Sequence, residues 1–262
     1  MKKAVPVIVL VLLFVGAAWW FLTRSPEPVP ELPPPQVTAV QPAAEQPEPA
    51  PEDTLVISET EVEPEAAPQP LPELADSDAE VTQELADIAG TARIADYLLN
   101  DQVVSRAVAS IDSLTSRQVP VHINPVKPAD DKFIVETEGD KAVLSEANFA
   151  RYDDYVALLR DMDTGQLMAF YHHYSPLFQQ AWEQNGGQGS FDDRLVEVID
   201  NLLATPDPAG PVYLVKPEAV YLYEDPQLEA MTAGQKILVR MGSANAAVVK
   251  EKLAALKAAL TR

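Results

Sequence analysis

Several groups of acidic and imidazole side chains in this chain have the residue types of a catalytic or metal-binding site, and each must be weighed against a structural use. Asp163-Thr164-Gly165 matches the short aspartic-protease signature. That chemistry needs two such aspartates sharing one proton, whereas this triplet occurs once, where a helix needs a cap. Asp161-x-Asp163-x-Gly165 has the spacing of half a calcium loop but lacks the later acidic ligands. His172 and His173 are adjacent, while metal binding from one helix uses positions i and i+4; neighbours diverge by about 100°. His172 therefore points away from the apolar arc of its helix and His173 sits on the flank. His122 has no identifiable partner. Asp153-Asp154 and Asp192-Asp193 serve as acid/base pairs only if the fold brings further carboxylates or a metal to them. In a first helical turn such acids also complement the helix dipole, which accounts for Asp192 and Asp193; a solvated face accounts for Asp153 and Asp154. The chain has no cysteine, which excludes thiol catalysis, disulfides and cysteine-ligated zinc. No catalytic, metal-binding or cofactor-binding residue is expected, and no cofactor. The remaining candidates are interaction residues: Arg151, Asp154, His172, Lys236 and Arg240. Lys250, Lys252, Lys257 and Arg262 make the last helix basic; they favour its C-terminal end, or offer a docking surface to an acidic partner.

The elements that position these residues are mostly helices. Ser145 to Gly187 reads as two consecutive helices with most of the large aromatics of the folded part, and a core is expected there. Ser145 caps the first, with Phe149, Tyr152, Val156, Leu159 and Met162 inward. Asp163 or Thr164 caps the second, whose stripe runs Leu167, Phe170, Tyr171, Tyr174, Leu177, Phe178 and Ala181. Such a stripe is core, or the wall of a ligand pocket. Pro176 predicts a kink, and Asn185-Gly186-Gly187 a left-handed cap.

Earlier, Ser77 with Glu80 reads as a capping box opening a short helix, Ala92–Leu99 as a second helix, and Val103, Val104, Ala107, Val108, Ile111 and Leu114 as the stripe of a third. Val119 to Pro125 is at best an extended edge segment. Two hairpins are expected: Phe133–Thr137 with Lys141–Leu144, and Val212–Val215 with Val220–Tyr223. They pair into one sheet or lie apart at the rim. Ser190, Asp225-Pro226, Thr232 and Ser243 start later helices, and Gly242 breaks one. The fold class is thus mainly α (α+β): a multi-helix domain with one or two small antiparallel hairpins, preceded by a transmembrane helix and a disordered stalk.

Residues 4–22 carry no charge, follow Lys2 and Lys3 and precede Arg24. At a 1.5 Å rise they span about 28 Å, close to the hydrocarbon thickness of a bilayer. A cleaved signal peptide is the rival reading, since Gly16, Ala17 and Ala18 are small; the apolar run continues past them, and Trp19 and Trp20 suit the membrane-water interface. The positive-inside rule puts the N-terminus in the cytoplasm and the rest in the periplasm of a bacterial inner membrane. Residues 25–75 form a Pro/Glu-rich linker expected to be disordered. Its 48 residues from Ser25 to Pro72 reach between about 40 Å as a coil and about 150 Å as a polyproline rod. Residues 76–262 form the folded domain. Of a net charge of −21, residues 1–24 carry +3 and residues 25–80 carry −14, leaving −10 on residues 81–262; nucleic acid is disfavoured as a partner.

Arg151-Tyr152-Asp153, Pro176 to Trp182, Asp225-Pro226 with Leu228-Glu229, Gly234-Gln235-Lys236, Arg240-Met241-Gly242, Asn245 and Val249-Lys250 together resemble the bacterial family called domain of unknown function 3014. The likeness covers most of residues 90–260, with the motifs in the same order. It implies a proteobacterial envelope protein, and that the Arg-Tyr-Asp segment and the Gln-Lys to Arg-Met-Gly segment matter together. It carries over no activity, substrate, cofactor or catalytic residue. The expected role is a membrane-anchored periplasmic interaction or scaffold module with an envelope protein as partner. An envelope hydrolase using carboxylates such as Asp153 or Asp161, and a small-ligand sensor with a cavity behind the aromatic stripe, are the alternatives.

Overall fold

The structure is a computed structural model that describes residues 71–90, 101–120, 123, 125, 133–218 and 220–261. The expected membrane span with Trp19 and Trp20, the linker as far as Pro70, the helix at Ala92–Leu99 and His122 lie outside these residues. No helix among the described residues is long and apolar enough to cross a membrane.

The described chain is mainly helical: α1 Asp78–Ile88, α2 Val103–Ser113, α3 Asp153–Asp161, α4 Thr164–Gln184, α5 Phe191–Leu203, α6 Pro226–Ala230, α7 Ala233–Arg240 and α8 Ser243–Leu260. Four strands, β1 Val135–Glu138, β2 Lys141–Leu144, β3 Tyr213–Val215 and β4 Leu222–Tyr223, form one antiparallel sheet in the order β1-β2-β3-β4. The two expected hairpins are therefore joined: Val143 pairs with Tyr213 and Ala142 with Leu214 across the seam. Leu144, Leu214 and Tyr223 share the inner face and pack on Met231 and Val239, forming a small second core between the sheet and α7.

The main core is helical. The α4 stripe is buried as its period predicts, with Phe170 and Phe178 fully buried, and Phe178 stacks on Phe191 of α5 at 6.0 Å. α8 lies against α3, α4, α5 and α7, while α2 packs on α4 and α5. α4 runs unbroken through Pro176. A proline cannot donate to the carbonyl four residues back; the His172 carbonyl left over accepts instead from the Ser175 hydroxyl at 3.0 Å. α4 ends as expected, with Gly186 at φ +85° and the Gly187 N–H donating to the Trp182 carbonyl at 2.9 Å.

Helix ends meet one another. The N–H groups of Ala233 and Gly234 at the start of α7 donate to the carbonyls of Ser116 and Leu114 just past α2, at 2.7 and 2.9 Å. Unsatisfied donors of one helix thus serve unsatisfied acceptors of another, positive end to negative end. A Cβ on Gly234 would lie 2.5 Å from Leu202 Cδ2 and 3.1 Å from the Leu114 carbonyl oxygen, so a larger residue would have to displace the buried Leu202 side chain.

Two expected caps are corrected. Ser77 is in helical conformation and its hydroxyl donates to the Leu74 carbonyl, because a 3-10 turn, Leu74–Asp76, precedes α1. Ser243 lies inside α8, and its hydroxyl donates to Asp207; Gly242, at φ +79°, occupies the cap position. The helix expected after Ser145 is two elements, a 3-10 turn at Glu146–Tyr152 and then α3. In consequence Phe149 leaves the Tyr152 face and packs in the second core.

Candidate functional site

The residues carrying the most distinctive chemistry in the described fold surround a cleft of about 440 Å³ under β4. Its base comes from α7. The Thr232/Gln235 capping box starts that helix, and four residues of separation then put Lys236 and Arg240 on one face. Both are buried, at 5% and 6% exposure. Burying a cation is costly unless it is paired and hydrogen-bonded, so their surroundings are the informative part.

Lys236 is paired with Glu229 of α6. The same carboxylate accepts the Tyr223 N–H at 2.9 Å from the edge strand β4. Local sequence places it there: Asp225 accepts from the Gln227 N–H at 2.7 Å and Pro226 occupies the first helical position, so α6 begins where Glu229 faces α7. Tyr223 stands between the two cations. Its hydroxyl donates to the Lys236 carbonyl at 3.2 Å, and the Arg240 guanidinium lies 5.4 Å from its ring centroid, within cation–π range. Burial pushes the Tyr223 phenol up; the Arg240 charge opposes this and Glu229 adds to it. Val220, Tyr221 and Leu222 form one wall, and Arg117 and Gln118 stand exposed at the mouth.

Beneath the cleft, two of the motif segments meet. Tyr152 is buried, its phenol raised by burial and partly offset by Arg151 and Arg240. Asn245 Nδ2 donates to Asp153 Oδ1 at 3.0 Å and to the Phe149 carbonyl at 3.1 Å. A Cβ on Gly242 would lie 2.6 Å from the Phe149 ring, so the 3-10 turn and the α7–α8 corner pack without clearance. The Arg-Tyr-Asp and Arg-Met-Gly segments thus act on one another directly.

Two wider clefts flank the Pro206–Pro211 loop. One, of about 830 Å³, opens toward β2 and α8; the other, of about 650 Å³, opens toward α6.

Lys236 and Arg240, expected as interaction residues, are buried and line the cleft, because the sheet and α6 cover their face of α7. Arg151 is half-buried, Asp154 is exposed in the first turn of α3, and His172 is exposed on α4; none of the three lines any of these three clefts. Asp163 caps α4, accepting from the Gln166 N–H at 2.8 Å. His173 is half-buried with its ring edge-on to Tyr174 at 4.6 Å. Asp192 accepts from the Tyr171 hydroxyl as well as sitting in the first turn of α5. Among the described residues no group of three histidine or acidic side chains is placed to hold a metal. The basic residues of α8 serve neighbours: Lys250 and Lys252 donate to the carbonyls of Thr205 and Met162, just past α5 and α3, and Lys257 pairs with Asp200. The sequence reading missed Glu229, Tyr221, Tyr223 and Arg117 as site residues. The available signal was an acid seven residues before a lysine that shares a helix face with an arginine.

These features define a helix-rich domain closed by a small sheet, with a ligand-sized cleft floored by buried cations. The family described as Protein of unknown function (DUF3014) matches residues 103–257, and the chain belongs to it. No curated protein and no solved structure matches the chain.

Proposed function

We propose that this protein is a membrane-anchored interaction module of the bacterial cell envelope, and that the cleft over Lys236 and Arg240 is its binding site. The carrying observation is convergence. Pro226, Glu229, Lys236 and Arg240, drawn from three motif segments separated in sequence, line one cavity, and Arg151-Tyr152-Asp153 packs beneath it. A cavity of this volume with an apolar wall and a few convergent polar groups has the form of a binding site.

The rest of the reading comes from the sequence. Residues 1–24 hold the chain in the inner membrane with the N-terminus in the cytoplasm, Trp19 and Trp20 marking the interface. The proline- and glutamate-rich segment acts as a stalk, and the domain works in the periplasm on another envelope protein. The hydrolase alternative draws no support from its proposed acids: Asp153 bonds Asn245, and neither Asp153 nor Asp161 lines any of the three clefts described above. The stripe that a sensor cavity would need is packed in the main core.

A photo-crosslinking residue placed at Gln118 or Ala230, on the cleft rim, is expected to capture a defined envelope protein in intact cells. The same residue at Gln180, exposed on α4, is expected to capture none. No adduct from the rim, beside purified protein that turns over an envelope glycan, overturns the proposal.

A further inference from the structure

We infer that the cleft of about 830 Å³ beside the Pro206–Pro211 loop is a second docking groove, and that its occupant is a basic, apolar segment of a partner protein. The groove shares no lining residue with the cleft over Lys236, so it goes beyond the binding site proposed above and stands or falls separately. One wall is the loop after α5, which α8 holds at two points: Lys250 Nζ donates to the Thr205 carbonyl, and the Ser243 hydroxyl donates to Asp207. Pro206, Pro208 and Pro211 restrict the backbone of that wall, so less ordering remains to oppose binding. Apolar surface comes from Val143 of β2, Val212 just before β3, Phe149 of the 3-10 turn and Ala246 of α8, all half-buried, and from the exposed Ala247.

Charge selects the occupant. Four exposed carboxylates line the groove, those of Glu136, Glu138, Glu146 and Asp207, against one ammonium, that of Lys250: four less one, an excess of three negative charges. Three of these acids accept from neutral hydroxyls, Glu136 from Ser145, Glu138 from Tyr213 at 3.1 Å and Asp207 from Ser243. Such bonds orient a carboxylate and leave its charge in place. Among the described residues none of the four is in an ion pair. Lys141 stands opposite Glu138 across the hairpin but gives its ammonium to Glu224.

Acids around apolar surface complement a segment in which lysine or arginine is interspersed with apolar residues. The same charge repels an anionic lipid surface, the chain's own linker, which contributes to −14 over residues 25–80, and a second copy of the domain, at −10 over residues 81–262. The acids are spread over β1, the 3-10 turn and the loop after α5. Among the described residues no group of three acidic or histidine side chains is placed to hold a metal ion, so the cations that this groove suits are those of a peptide.

The test is isothermal titration of the full chain in zwitterionic detergent micelles with three probes: acetyl-Lys-Leu-Val-Lys-Leu-Lys-amide, its counterpart with serine in place of leucine and valine, and spermidine. The first peptide is expected to bind, and the serine peptide to bind at least about tenfold more weakly for want of apolar burial. Glu136→Gln, Glu138→Gln and Glu146→Gln together are expected to weaken the first peptide at least about tenfold at low salt, an effect that fades at high salt. Removing the same charge from exposed positions outside the groove, with Glu183→Gln, Asp193→Asn and Glu251→Gln, is expected to change its affinity less than about twofold at physiological salt. Ala247→Trp, at an exposed position of α8, fills the groove without touching a charge and is expected to abolish binding. Equal weakening by the two triple variants, equal binding of the two peptides, tighter binding of spermidine than of the first peptide, or full affinity in Ala247→Trp overturns the inference. Peptide binding in the groove without the rim adduct from Gln118 or Ala230 refutes the cleft over Lys236 and supports the groove; the adduct without peptide binding does the reverse.

Discussion

Lys236 and Glu229 form one ion pair, yet their removal is expected to have unequal effects. Glu229 retains 31% of its side-chain exposure and Lys236 only 6%. Lys236→Met removes the buried charge and leaves a carboxylate that water and the Tyr223 N–H still serve, at a cost of about 1 kcal/mol. Glu229→Ala strands an ammonium in the interior, at a cost of about 3 kcal/mol. Urea denaturation of both variants measures the ordering, and equal losses would count against it. Tyr171 and Tyr174 give a pH signature. Burial, then their hydrogen bonds to Asp192 and to Glu84 and Glu80, hold both phenols well above the ordinary value of 10.0. The native state keeps protons that the unfolded chain releases near pH 10, so the stabilisation is full below that pH and falls as pH rises above it. The double variant Tyr171→Phe, Tyr174→Phe is expected to be less stable at neutral pH and to lose much of the alkaline slope, read from urea midpoints between about pH 9 and 11. At this scale the sequence showed which groups were charged but not which were buried: burial of Lys236 and Arg240 follows from a sheet supplied by another part of the chain.

Helix starts divide by where the capping side chain finds its partner. Asp163, Ser190, Asp225 and Thr232 accept from N–H groups two or three residues ahead, and each was legible in sequence. Ser77 and Ser243 were misread because competing partners, the Leu74 carbonyl and Asp207, lie outside the local capping pattern. α2 shows the converse. Its first N–H groups, those of Gln102 and Val103, donate at 2.7 Å to Asp78, more than twenty residues away in α1. Asp78→Ala is therefore expected to cost about 1 kcal/mol and to speed amide exchange at Gln102 and Val103; unchanged exchange there would refute the cap. The α7–α8 corner is the stricter joint. Gly242→Ala meets both a left-handed backbone and the Phe149 ring, and a loss of about 2–3 kcal/mol is expected by chemical denaturation.

For the whole molecule, the proposed anchoring is the testable statement. The full chain is expected in the membrane fraction after an alkaline carbonate wash, with its domain cut by added protease only once the outer membrane is opened. A variant lacking residues 2–24 is expected in the cytosol, since the same segment directs export. Recovery of the full chain in the soluble fraction would refute the anchor. The sequence by itself determined the helical class, most helix boundaries and the buried stripe of α4, because apolar period and capping are local and the backbone obeys them within a few residues. It left open whether the hairpins join, and whether Lys236 and Arg240 are buried. Only the tertiary structure decided these. Pairing β2 with β3 joins residues about seventy positions apart, and burial of a charge depends on a carboxylate and a covering strand supplied from other elements; no local period encodes either.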